Sequence, residues 1–141
     1  MIVRWKGKIK PGTVNNQPWA FWDFLPTAAE ITGAKDPSNI DGLSVEPSFF
    51  GKKPEQHKYL YWEFRADDKH FLQAVRMGDW KAVRNEIDEP LELYNLTNDL
   101  GEKNNVAAQH PDLVAQAEKY FKEAHVESKD WPMKPIQKKS K

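Results

Sequence analysis

The residues with the most chemical potential gather around one short aromatic run, Tyr59-Leu60-Tyr61-Trp62-Glu63-Phe64. His57 precedes it, Arg65 follows it, and His70 lies a few residues on. Histidine changes charge near neutral pH and can carry a proton or a metal. Binding and catalytic residues concentrate at strand ends and in loops, so His57 and His70 stand out among the four histidines. Tyr61 or Trp62, turned outward beside a cleft, would stack on a sugar or aryl ring; turned inward, either would be core. The other histidines read as structural. His110 stands just before Pro111 at a helix start, and His125 sits in a helix's last turn, where a cation suits the macrodipole. Asp67-Asp68 and the trio Glu86, Asp88 and Glu89 lack the spacing of a calcium loop and read as solvated turns.

Other constellations are missing from the sequence. There is no Gly-rich phosphate loop of the P-loop or dinucleotide type, no Gly-x-Ser-x-Gly, and no pair of histidines at i and i+4. The chain has no cysteine, which excludes disulfides, thiolate zinc sites and cysteine nucleophiles within it.

The elements that must position these residues follow from pattern. Residues 1–10 alternate, with Val3, Trp5 and Ile9 on one side and Arg4, Lys6, Lys8 and Lys10 on the other, which predicts a strand ending at Lys10-Pro11-Gly12. Asp23 is placed to cap a helix that carries Pro26 in its first turn and stops at Gly33. Residues 34–58, with Pro37, Gly42, Pro47, Gly51 and Pro54, read as a connecting region. Strands are predicted over 59–64, 74–76, 80–84 and 91–96, with Met77-Gly78-Asp79 as a tight hairpin turn. Strands this close in sequence pair antiparallel, because no crossover fits between them. Pro111 opens a helix whose stripe of Leu113, Val114, Ala117, Tyr120, Phe121 and Ala124 needs a sheet to cover. The Lys-rich, Pro-broken residues 127–141 read as a tail, with Trp131 pinning its start.

The 141 residues carry 21 basic and 21 acidic side chains, so the formal net charge is zero. That gives no electrostatic reason to expect nucleic acid or an anionic membrane as partner. No apolar run approaches the roughly 20 residues that span a bilayer. Six Trp, seven Phe and four Tyr supply core material that disordered chains lack. The opening strand and helix form a βα unit, which needs more parallel sheet than the later, locally antiparallel strands provide. The first part therefore reads as the end of a larger α/β domain.

Several segments, in order, resemble the sulfatases. Ile2-Val3-Arg4-Trp5-Lys6-Gly7-Lys8-Ile9-Lys10-Pro11-Gly12 resembles their I-V-x-W-P-G-x-I-x-P-G segment, with Lys6 where Pro is usual. Phe24-Leu25-Pro26-Thr27 with Gly33-Ala34 resembles the D-[LF]-x-P-T helix and its stop, and Asp41-Gly42-Leu43-Ser44 the D-G-x-S turn. Gln73-Ala74-Val75-Arg76-Met77-Gly78-Asp79-Trp80-Lys81 resembles the R-x-G-x-W-K hairpin. Leu91-Glu92-Leu93-Tyr94-Asn95-Leu96 and the residues to Asn105 resemble L-Y-[DN]-L-x-x-D-P-x-E-x-x-N, with Leu100 replacing the usual Pro.

The resemblance implies an α+β fold: an antiparallel sheet of about four strands packed by a long C-terminal helix. A strand-loop-helix piece of an alkaline-phosphatase-like α/β domain would precede it. The implied organisation is 1–45 as the last strand and helix of the large domain, 46–126 as the C-terminal subdomain, and 127–141 as tail. Sulfatases hydrolyse sulfate esters with a formylglycine made in a C/S-x-P-x-R motif and a divalent cation, usually calcium. Neither that motif nor the metal-binding pairs match positions here; Ser44-Val45-Glu46-Pro47 has its proline one place too far. No catalytic residue, metal ligand or cofactor is therefore assigned to this chain, which is expected to be inactive alone. The implied partner is an N-terminal sulfatase domain, and the implied substrate of the parent a sulfated carbohydrate or aryl sulfate. Loops of the C-terminal subdomain approach the active-site mouth in this family, which makes His57, Trp62, Glu63, Arg65 and His70 the candidate pocket wall. Their basic members would hold a second sulfate or a sugar carboxylate, Arg65 by its bidentate fork. A non-catalytic carbohydrate-binding or interaction module is the alternative reading. Composition sets no compartment; an exported parent, periplasmic or extracellular, would carry its signal upstream.

Overall fold

The computed structural model describes residues 1–35, 38–65, 71–130 and 132–133. Asp67, Asp68, His70, Trp131 and the tail from residue 134 lie outside the described residues. The chain forms two compact units, Met1–His57 and Lys58–Lys141, dividing near the end of the Pro- and Gly-rich connecting region.

In the first unit, residues 1–9 form no strand, contrary to their alternation. Instead the Lys8 and Ile9 N–H groups bond the Trp5 carbonyl at 3.1 and 2.9 Å, closing a turn. Alternation makes a strand only where a neighbouring strand takes up the backbone hydrogen bonds, and this unit contains no other strand among its described residues. A 3-10 turn at Phe21–Asp23 runs into α1, Phe24–Thr32. The helix stops at Gly33, whose φ of 68° is the left-handed conformation that closes helix ends. A short helix α2, Glu46–Phe49, packs against α1. Between them, Gly42 passes so close to the Trp22 carbonyl that any Cβ would collide with it. That close approach is the physical reason for glycine in the Asp41-Gly42-Leu43-Ser44 turn.

The second unit is a four-stranded antiparallel sheet in the order β1-β2-β3-β4. Its strands are β1 (Leu60–Arg65), β2 (Phe71–Met77), β3 (Trp80–Arg84) and β4 (Glu92–Asn95). Trp62 pairs with Ala74, Glu63 with Gln73, Ala74 with Val83, and Ala82 with Leu93. Met77 faces Trp80 across a two-residue loop in which Gly78 takes φ of 60°. Helix α3, Pro111–Ala124, covers one face of the sheet, as its stripe predicts. Val75, Ala82, Leu91 and Leu93 from the sheet meet Ala117, Tyr120 and Phe121 from the helix in one core. Tyr59 stacks on Tyr120 at 4.4 Å, and Tyr61 meets Phe121 edge-on at 5.9 Å. The loop after β4 is strapped down: Val106 N–H bonds the Leu93 carbonyl, and Lys81 Nζ reaches Glu102 at 2.7 Å.

Leu93 has no solvent exposure and sits at the centre of that core. Leu93→Ala should destabilise the unit by about 2–5 kcal/mol, the cost of the lost transfer energy plus a cavity. Chemical denaturation followed by tryptophan fluorescence measures it.

Candidate functional site

In the first unit, chemistry centres on Asp23. Its side chain is fully buried, yet the 3-10 turn before α1 prevents the simple capping role the pattern suggests, and no side-chain cap bond forms to α1. Asp23 Oδ2 accepts the Ala20 N–H at 2.7 Å and Oδ1 the Leu43 N–H at 2.9 Å. His57 Nε2 lies 2.7 Å from Asp23 Oδ1. Thr27 completes the cluster: its hydroxyl donates to the Asp23 carbonyl at 2.6 Å and accepts the Val45 N–H at 2.9 Å. Three chain segments are thus tied to one buried side chain and its neighbour. His57 is committed to this cluster, with its side chain 16% exposed. A cavity of about 530 Å³ opens elsewhere in this unit, between Lys8, Lys10, Asn15, Trp19, Ser48 and Phe50.

In the second unit, the alternation of β1 sends its residues to opposite sides of the sheet. Trp62 and Phe64 lie on the side away from α3 and are 40% and 59% exposed. Tyr61, Glu63 and Arg65 lie on the α3 side, half-buried. There Glu63 Oε2 accepts hydrogen bonds from the Tyr61 hydroxyl at 2.6 Å and from His125 Nδ1 at 2.8 Å. Gln73 Nε2 donates to the Tyr61 oxygen at 2.8 Å, and Arg84 Nη1 donates to Gln73 Oε1 at 3.1 Å. Arg84 Nη2 then clamps both oxygens of Glu118 on α3 at 2.6 and 2.7 Å. This chain of bonds runs through β1, β2 and β3 to the helix. Arg65 Nη1 donates to the Pro132 carbonyl at 3.0 Å.

The candidate pocket residues are therefore not on one wall. Trp62 faces the open side of the sheet; Glu63 and Arg65 face the helix side. His57 belongs to the Asp23 cluster, and His70 lies outside the described residues. Two pairings escaped the sequence reading, His57 with Asp23 and His125 with Glu63. Their partners are 34 and 62 residues apart, and no local periodicity links positions at that separation.

Burial lifts the Tyr61 hydroxyl well above its ordinary pKa, and the bond to Glu63 lifts it further. Burial pushes the His125 pKa down, but its bonds to Glu63 and Glu127 outweigh that and leave it raised above 6.5. These groups hold protons and hold one another, an arrangement suited to positioning rather than to proton transfer.

Among the described residues, no group of three or more His, Cys, Asp or Glu side chains converges to hold a metal ion. With no cysteine and no Ser-x-Pro-x-Arg in the sequence, the residues do not fit a formylglycine either, and no step through calcium or formylglycine is drawn for them. No helix among the described residues is long and apolar enough to cross a membrane.

A four-stranded antiparallel sheet with one long helix on a single face, following a helical unit, is the architecture of the C-terminal region of sulfatases of the alkaline-phosphatase-like superfamily. The chain belongs to this family: residues 1–127 match the family model described as "N-sulphoglucosamine sulphohydrolase, C-terminal". It is 36% identical over 126 residues to a sulfatase of Formosa agariphila, an alignment covering 79% of this chain and 23% of that protein. It is 32% identical over 117 residues to an N-acetylglucosamine-6-O-sulfatase of Bacteroides thetaiotaomicron, covering 75% of this chain and 20% of that protein. In structure it is similar to a putative sulfatase of Bacteroides fragilis, with a TM-score of 0.68 at 21% identity, covering 84% of this chain and 27% of that one. The chain thus spans about a quarter of the length of the relatives it matches.

The Glu63–His125 bond predicts a pH dependence. A histidine whose folded pKa is raised contributes stability that is fully present below its unfolded value of 6.5 and is lost as pH rises through the folded value. Denaturation midpoints taken from about pH 6 to about pH 9 should fall for the wild-type chain, with a smaller fall for His125→Gln and for Glu63→Gln.

Proposed function

We propose that this chain works as the C-terminal part of a sulfuric ester hydrolase acting on sulfated carbohydrate. In that reading it supplies structural support and one wall of the substrate pocket. The bond-breaking groups, a formylglycine and a divalent cation, would come from the N-terminal sulfatase domain of a longer protein. The observation that carries the reading is the match of residues 1–127 to the C-terminal family model, over a span that is about a quarter of its relatives. Sulfated sugar is favoured as substrate class because a relative is an N-acetylglucosamine-6-O-sulfatase. The described surface fits a carbohydrate as well: Trp62 and Phe64 offer aromatic area on the open side of the sheet, and a ring face is a natural seat for a sugar.

Within this reading, residues 1–45 are the closing strand and helix of the large domain, 46–126 the subdomain, and 127–141 a tail. The opening segment would take up strand geometry once a parallel neighbour offers its hydrogen bonds. Of the pocket-wall set, Trp62 is placed for stacking. Arg65 and His70 are placed at the end of β1 for an anionic group, by charge-assisted bonds. Glu63 acts through Tyr61 and His125, holding the shape of β1, and His57 acts through Asp23.

The decisive experiment replaces the matching C-terminal portion of the Formosa agariphila sulfatase with this chain and assays sulfate release from sulfated oligosaccharides. The fusion should turn over, and the isolated chain should release no sulfate. A folded but inactive fusion, or turnover by the isolated chain, would overturn the proposal. In an active fusion, Arg65→Ala and His70→Ala should each lower kcat/KM on the order of tenfold, as loss of one charged hydrogen bond of about 1.5 kcal/mol implies. Unchanged kcat/KM across the sulfated sugars would remove both residues from the pocket wall.

A further inference from the structure

Helix α1 is turned inside out relative to an ordinary surface helix. At about 100° per residue, Phe21, Phe24, Leu25, Ala28 and Ile31 fall within about 120° of arc, a continuous apolar stripe. Such a stripe normally faces the core of its own unit. Here it faces outward: Phe21 is 90% exposed, Phe24 59%, Leu25 56% and Ile31 36%. The side packed into the unit instead carries Asp23, Thr27 and Ala29. That inward side is held firmly. The Asp23 carboxylate bonds Ala20, Leu43 and His57, Thr27 bonds Val45, and Gly42 packs directly on the Trp22 carbonyl. Rotating α1 to hide the stripe would break all of these bonds and drive buried polar groups into solvent-free space unpaired. The stripe is thus locked outward by the unit's own polar interior.

We infer that the outward stripe of Phe21, Phe24, Leu25 and Ile31 is the surface on which the upstream catalytic portion of the sulfatase docks, through an apolar face of its own. This rests on the C-terminal reading above. The occupant is chosen because the relatives carry about three quarters of their length outside the matched region, which is a large body with no other counterpart in this chain. A helix stripe about 120° wide matches a broad, flat apolar surface rather than a narrow coiled-coil seam. Exposed apolar patches of this kind mark interaction surfaces.

The test compares the isolated 141-residue chain with the fusion to the Formosa agariphila catalytic portion. Hydroxyl-radical labelling read by mass spectrometry reports on Phe21 and Phe24 directly. Both should label strongly in the dilute isolated chain and lose their labelling in the fusion. A triple variant, Phe21→Ser, Phe24→Ser and Leu25→Ser, should leave the isolated chain's circular dichroism and melting unchanged, because these side chains bury little within the unit. In the fusion the same variant should cost soluble yield and resistance to proteolysis between the two portions. Equal labelling of Phe21 and Phe24 in both proteins overturns the inference. So does protection in the isolated chain that vanishes on dilution, which would make a second copy the occupant. The two readings separate cleanly: an active fusion with Phe21 and Phe24 fully labelled rejects docking alone, and an inactive fusion with both protected rejects the catalytic reading alone.

Discussion

A carboxylate without access to solvent is tolerable only when hydrogen bonds replace the water it gave up; otherwise its burial costs several kcal/mol. Asp23 meets that condition with the N–H groups of Ala20 and Leu43 and the ring of His57. The rest of the first unit follows from it. The chain before α1, the turn at Leu43 and the segment ending at His57 are brought to one point. Thr27 extends the same logic one helical turn on, bonding Val45, and Gly42 lets the turn approach closely enough for the bonds to form. Orienting α1 by its polar residues leaves its apolar ones on the outside, so one buried acid decides which surface the unit presents.

The second unit solves a different problem. A sheet covered on one side by a single helix buries its apolar residues there, and Leu93, Val75 and Ala82 reach zero exposure. Toward the β1 edge the apolar core gives way to polar groups, Tyr61, Glu63, Gln73, Arg84, Glu118 and His125, that satisfy one another in sequence. Such a network is tolerable because its members are paired, and it fixes the position of the helix along the sheet more narrowly than apolar contacts do. One consequence bears on function. Glu63, which in the sequence looks like an exposed acid between two aromatics, is an acceptor inside this network, while its neighbour Trp62 lies on the other side of the sheet.

Much of this was legible beforehand. The β1–β4 meander, the loop at Gly78, the helix stop at Gly33 and the burial of the α3 stripe all rest on period-two and period-3.6 patterns and on turn chemistry, which are local properties. The motifs resembling sulfatase segments likewise pointed to the family that residues 1–127 match. The opening alternation misled, because a strand exists only with a neighbour, and none is present in the first unit among its described residues. Asp23 misled in part: an acid before a helix pattern reads as a cap, and its true partners lie at positions 20, 43 and 57.

What the sequence determined by itself was therefore the kind and order of the elements, since propensity, periodicity and turn residues act over a few positions. What the tertiary structure alone decided was which side chains meet: His57 with Asp23, His125 with Glu63, and the apolar side of α1 with nothing in its own unit. Those outcomes depend on contacts across 34 and 62 residues and on a competition for the interior. Hydrogen-bonded polar groups won that competition over a stripe of phenylalanines because a buried polar atom left unpaired costs more than an apolar one left wet.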